Sequence, residues 1–364
     1  MTQILLKTFD LFGLSFLANL FSADRPKVKF DAKALFNKVG LPILTVIIFL
    51  LVWQAGSSYL FNVEAEGKIA KALTDQGAVA AEEMKNCIAS GDVSCQPNTL
   101  PSPKQVYAAY TSLLADHKLI TADKRAFSEK MTVINAQRKA DGLETIKYTG
   151  RPSFIDQIWT SLKTVFAGFL LAMFIAIPIG VIIGLSDTLR GSINWLIQIL
   201  KPVSPVVWLL LVFMIVKTLM RDSDGDSSFV ISFISVGLCA MWATLVNTSL
   251  GVSSVNQDYI NVAKVMQLKL PQKIFKIILP SAIPLIFTGL RITLSVAWMV
   301  LIAIELLAQS PGLGSFVWEE FQNGANDSNA KIIVAMFVIG IIGFLLDRIM
   351  LSIQGAVSFE KSSI

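Results

Sequence analysis

The sequence is poor in the residues that carry most chemistry. Of its 364 residues one is a histidine, His117, and three are cysteines. His117 has no companion His or Cys cluster, which argues against a metal site. No G-x-x-x-x-G-K-[ST] stretch occurs, so no nucleotide cofactor is expected on this chain. Charged residues make up only 16 %, too few for an ordinary soluble domain. The apolar runs hold scattered charges rather than clustered titratable groups, which argues against an enzyme working inside a membrane. They show no convincing inverted repeat, the pattern a secondary transporter would carry. No cleavable leader is expected either. Residues 3–21 are apolar, but Lys7, Asp10 and Asn19 interrupt them and no small-residue cleavage site follows. We read that stretch as an amphipathic helix lying in the cytoplasmic interface of the membrane.

What the chain has instead is apolar length. Mean hydropathy is +0.62. Six runs, near 41–60, 156–185, 202–220, 229–250, 282–308 and 331–352, approach the ~20 residues that cross ~30 Å of hydrocarbon. The expectation is an all-α polytopic membrane protein in contact with lipid. A pI near 9.0 would suggest nucleic acid in a soluble protein. Here the excess Lys and Arg serve topology, and no nucleic-acid partner is expected. Arg25, Lys27, Lys29, Lys33 and Lys38 precede the first run and place the N-terminus inside. Asp222, Asp224, Asp226, Glu319, Glu320 and Asp327 fall in outer loops, whereas Lys217 and Arg221 count against the scheme. Six runs bring the C-terminus inside as well, near Arg348 and Lys361. The expected layout is a basic N-terminal segment 1–40, a first span 41–60, an outer insert 61–151, a core 152–354 and a tail 355–364.

The insert reads as helices at 64–89, 103–116 and 121–140, with Ser102-Pro103 as a cap and first-turn pair. Cys87 and Cys95 flank a turn-rich loop, and outside the cell they are expected to form a disulfide. Cys239, inside an apolar run, reads as packing. An insert this small should lean on the membrane domain or on a partner.

Between the fourth and fifth of the six apolar runs lies a polar segment, Asn261 to Pro280. It carries Lys264, Lys269, Lys273 and Lys276 and no acid, which puts it on the cytoplasmic side. It reads as two short helices broken at Pro271, with apolar teeth at Val262, Val265, Met266 and Leu268. Such teeth suit a helix docking into a groove on a partner; the alternative is an amphipathic loop resting on lipid. The spacing resembles the cytoplasmic motif E-A-A-x3-G-x9-I-x-L-P of ABC importer permeases. The alanine pair falls on Val262 and Ala263, the glycine on Gln267, and the ending on Ile277, Leu279 and Pro280. Asn261 stands in place of the glutamate.

The resemblance extends from about residue 100 to 352. Leu100-Pro-Ser-Pro103 with Val106, Ser161-Leu162 through Gly168-Phe169 to Pro178-Ile-Gly180, Asn247-Thr248, Gly289-Leu-Arg291, Glu305-Leu-Leu307, Gly312-Leu-Gly314 and Asp347 are similar to the nitrate/sulfonate/taurine group of these permeases. Asn261-Val-Ala, Lys201-Pro-Val-Ser-Pro205 with Trp208, and Phe316-Val-Trp318 look most like its nitrate-type members, whose relatives include nitrite, cyanate and bicarbonate systems. What the resemblance implies is a type I ABC importer transmembrane fold in the inner membrane. It implies a paired second permease subunit, two ATPase subunits that bind ATP and Mg, and a periplasmic substrate-binding protein. It implies ATPase coupling through 258–280, with Asn261, Val262, Ala263, Met266, Gln267, Leu268 and Pro271 as the residues involved.

Candidates for the pathway come from the spans. Arg291, Trp298 and Glu305 are seven apart and share one helix face, with Ser295 beside it. Arg291 and Glu305 lie about 21 Å apart along that helix and cannot pair with each other. Either they line the pathway, or Arg291 snorkels or pairs with an acid such as Asp347 while Glu305 caps outer-loop amides. Lys201, Ser204 and Trp208 flank a two-proline break expected at membrane depth, where the helix after Pro205 would offer its amide end to an anion. A plain proline kink is the alternative. Trp242 and Asn247 complete the set.

Overall fold

The computed structural model describes residues 36–357, apart from 93, 222–226 and 326. The expected interfacial helix at 3–21, the cluster Arg25, Lys27, Lys29 and Lys33, the side chain of Lys38, the acids Asp222, Asp224 and Asp226, and Lys361 lie outside the described residues. Among those described, every regular element is helical. The chain divides into two compact units, one holding 1–155 and 317–338, the other 156–316 and 339–364.

The first unit is built on α1, Leu41–Gln76, which follows a π turn at Phe36–Gly40. Its 36 residues make a rod of about 54 Å. The span expected at 41–60 and the insert helix expected from 64 are therefore one helix. No proline lies between Leu60 and Gln76, and the good helix formers Glu64-Ala-Glu66 and Ile69-Ala-Lys-Ala-Leu73 carry the turn through Gly67. The rod ends at Gly77, whose φ of +90° suits glycine alone. Helix α2, Ala78–Ser90, packs back along α1. A disulfide joins Cys87 to Cys95 across a Cα–Cα distance of 6.0 Å, and Lys68 Nζ donates to the Gln96 carbonyl at 3.0 Å. Further down α1, Ser57 Oγ donates to Leu100 O (2.8 Å) and Trp53 Nε1 to Pro101 O (3.0 Å).

Helix α3, Pro103–Ala140, starts with a full capping box in which Ser102 and Gln105 satisfy each other's backbone amides. The two helices expected at 103–116 and 121–140 are one, since Asp116-His117-Lys118 contains no breaker. His117 Nδ1 lies 2.8 Å from Ser153 Oγ.

The second unit holds most of α4 (Phe154–Gly184), then α5 (Asp187–Leu200), α6 (Pro205–Leu219), α7 (Ser227–Ser253), α8 (Gln257–Val265), the single turn α9 (Leu270–Lys273), and α10 (Leu279–Ala308), joined to α9 by a π turn at Ile274–Ile278. The chain continues through α11 (Leu313–Asn323) and α12 (Ser328–Val357). Helices α7 and α10 form the densest pair. They meet at Gly289, where a Cβ would stand 2.8 Å from Asn247 Cβ and 2.9 Å from Thr244 Cα. Thr244 and Thr293 hydroxyls, both fully buried, bond across the pair at 2.7 Å, the kind of polar clasp that joins helices in lipid.

Among the described residues five helices are long and apolar enough to cross a membrane: α1, α4, α7, the continuous 270–308 helix and α12. A sixth crossing exists only if α5 and α6, bent by 96° at their break, count as one. Of the third span expected at 202–220, the part beyond the two-proline break is α6. Its 15 residues reach about 22 Å, short of the hydrocarbon thickness.

Candidate functional site

The segment between α7 and α10 is shaped by its caps. Asn256 Oδ1 accepts from Asp258 N at 2.9 Å and starts α8. At the other end Leu268 N donates to Ala263 O (3.0 Å) and Gln267 N to Lys264 O (3.0 Å). Together they make a Schellman cap, and Gln267 takes the left-handed position with φ +53°. The break therefore lies at 266–269, not at Pro271. Pro271 sits in the first turn of α9, where the missing N–H costs nothing.

This geometry explains the motif spacing. The position where the resembling family has glycine is the one that needs positive φ. Asn261, Val262, Val265, Met266, Gln267 and Pro271 are exposed, Val265 at 83 %. Leu268 is half-buried. Ala263, expected at a partner contact, is instead the one buried residue of α8, at 1 %. It faces inward on the side of α8 that packs on the Ile274–Ile278 turn.

The stripe on α10 turns toward its own chain. Arg291 makes a two-point contact with Asp347, Nε to Oδ1 at 2.5 Å and Nη2 to Oδ2 at 2.8 Å, a charge-assisted geometry that fixes both side chains. Trp298 is buried and donates Nε1 to Ile339 O at 3.0 Å. Glu305, 1 % exposed, accepts from Ser161 Oγ at 2.7 Å and from Gly314 N at 2.9 Å. Ser161 Oγ in turn accepts from Leu313 N at 2.9 Å. The carboxylate thus caps the start of α11 and ties α4, α10 and α11 together.

Trp298 and Glu305 are buried within this chain, and Arg291 is paired with Asp347, the alternative the spacing left open. The two buried side chains are hydrogen-bonded within the unit, as buried polar groups must be. Ser295 remains exposed, bonded back to Arg291 O at 3.2 Å.

The two-proline break lies where expected, with α6 starting at Pro205. Ser204 caps α6 through Val206 N at 3.4 Å, and Lys201 is exposed at the end of α5. Trp208 stands against Trp242, ring centres 6.4 Å apart, within an apolar cluster with Ile197, Ile183 and Leu245. Asn247 donates to Ala243 O at 2.8 Å on its own helix. The pathway candidates thus form several separate intrachain contacts rather than one constellation. Missed residues include Thr244, Thr293 and Ser161 in its partnered role; a hydroxyl inside an apolar run was the available signal. Helix α5 was missed too, though Ser186-Asp187 is a readable start.

The sequence profile of the family described as binding-protein-dependent transport system inner membrane component matches residues 176–358. Over 193 residues the chain is 36 % identical to the nitrate import permease protein NrtB of Synechococcus elongatus, a match covering 53 % of this chain and 66 % of that one. Over 194 residues it is 39 % identical to the bicarbonate transport system permease protein CmpB of Synechocystis sp., covering 53 % and 65 %. The chain thus spans just under two thirds of those relatives' length. Among solved structures, an inward-facing MetNI methionine ABC transporter chain aligns with a TM-score of 0.49 and 16 % identity, over 56 % of this chain and 95 % of that one.

Proposed function

We propose a function from one premise: the chain belongs to the family of binding-protein-dependent transport system inner membrane components. Its role in this reading is the permease subunit of an ATP-driven importer, an inner-membrane protein with both termini in the cytoplasm. It pairs with a second permease copy, receives solute from a binding protein outside, and meets two ATPase subunits inside. Those subunits bind ATP and Mg; this chain couples to their motion and does no chemistry itself. The cargo is a small inorganic anion, nitrate before others, in keeping with the similarity to nitrate import permeases. Bicarbonate is the second reading, since the bicarbonate permease CmpB is at least as similar by identity.

The observation that carries the coupling role is α8. Its caps hold a short helix with Val262, Val265 and Met266 turned outward on an otherwise basic loop. A knob of that kind gains its apolar burial only when a partner covers it. Closure of the ATPase pair would then push on a rigid helix rooted in the 270–308 helix and tilt it, alternating access.

The test is ATP hydrolysis by the complex in nanodiscs, titrated with nitrate and binding protein. Nitrate-stimulated hydrolysis is expected, and Val265→Glu should abolish the stimulation while leaving the fold intact. Ala263→Glu is the wrong probe, because it would unseat α8 itself. Stimulation by bicarbonate in place of nitrate would change the cargo only. Failure of any ATPase to copurify with the chain would overturn the coupling role and favour an ATP-independent anion transporter.

A further inference from the structure

The first unit contains a cavity of about 840 Å³, and we propose that it holds the headgroup of a phospholipid from the leaflet on the insert's side of the membrane. Gln54, Ser58 and Asn62 of α1 form one wall and Lys104 and Gln105 of α3 another. The Pro97–Pro101 segment crosses it, and Asp327 and Ala330 close it at the start of α12.

Its level is set by two helices independently. The apolar run of α1 ends near residue 60, and the apolar helix α12 begins at Ser328. Residues 54–62 and 327–330 therefore lie at the hydrocarbon boundary, where headgroups are. On α1 the spacing 54, 58, 62 makes one polar stripe. Polar side chains at that depth belong to a cavity rather than to acyl chains. One turn or two below, Ile47, Leu50 and Leu51 are bare and give tails an apolar face.

The charges suit a phosphodiester. Lys104 is exposed and has no acidic partner among the described residues. It stands in the first turn of α3, beside the capping Ser102. Asp327, the one acid on the wall, is already held by Lys331 at 2.8 Å. The volume is that of a small-molecule site, far larger than a free phosphate fills. The inference needs only the membrane reading of α1 and α12 and is independent of what is transported.

The experiment is native mass spectrometry of the full chain extracted from phosphatidylglycerol–phosphatidylethanolamine vesicles. One lipid per chain is expected to survive gentle activation. Lys104→Glu should lower its occupancy about tenfold, equivalent to about 1.4 kcal/mol, and Ala108→Phe, which fills the cavity, should do the same. Circular dichroism and the non-reducing mobility of the Cys87–Cys95 form check folding. Should Ala108→Phe misfold, the surface variant Lys104→Gln supplies the second reading. Unchanged lipid occupancy in the folded variants would overturn the proposal. So would release of the bound species by inorganic phosphate without regard to acyl length, which would make the site one for the free anion.

Discussion

Gln267 holds a backbone conformation that costs an L-residue about 1–2 kcal/mol, yet it caps α8 (φ +53°). Glycine there would remove the strain and add some unfolded-state entropy, with a net gain of about 0.5–1 kcal/mol. Gln267→Gly should therefore slow hydrogen exchange in 257–268 about two- to fivefold, and Gln267→Val should speed it. Equal exchange in all three would show that the cap is not strained. The spacing of this segment was legible in the sequence, but its break was placed at Pro271. A proline reads equally as a helix stop or a first-turn residue, and only the chain path chooses between them. The same ambiguity covered Arg291, Trp298 and Glu305. Their shared face was readable from spacing. Whether it turned to water or to partners depended on Asp347, Ile339, Ser161 and Gly314, which come from distant parts of the chain.

At the level of helices, close approach of α7 and α10 is the main packing event of the second unit. Gly289 makes it possible, since the space a side chain would need is occupied by Asn247 and Thr244. Gly289→Leu should force the pair apart and cost about 1–3 kcal/mol. A fall in melting temperature with loss of detergent-resistant dispersity would be the readout, and an unchanged melt would mean the contact is dispensable. Hydropathy located the apolar stretches of five helices well, α1 included, because length and apolarity are properties of the run itself. It failed at α6 and at the polar end of α1. The 96° bend between α5 and α6 is set by Ser204 and the two prolines rather than by composition. The far end of α1 is polar yet helical, because continuity needs only the absence of a breaker.

For the molecule as a whole, the first unit is the less conventional part. The family match begins at residue 176 and leaves α1, α2 and α3 outside it. The Cys87–Cys95 bond closes a short loop, which by chain entropy is worth about 2–3 kcal/mol. Reduction should make the stretch from Gly91 to Leu100 sensitive to protease within minutes while fragments from 156–316 keep their pattern. If the digest is the same with and without reductant, Lys68 and Ser57 suffice to hold that loop.

Helix α1 has a mechanical consequence. From Leu41 to Gln76 it has no interruption, so it behaves as a beam with its hinge outside its own length. Tilting such a beam by about 10° at the Leu41 end would sweep the Gln76 end through about 9 Å, given a 1.5 Å rise per residue. A spectroscopic label near Gln76 would magnify angular motion of the apolar stretch into a displacement large enough to time.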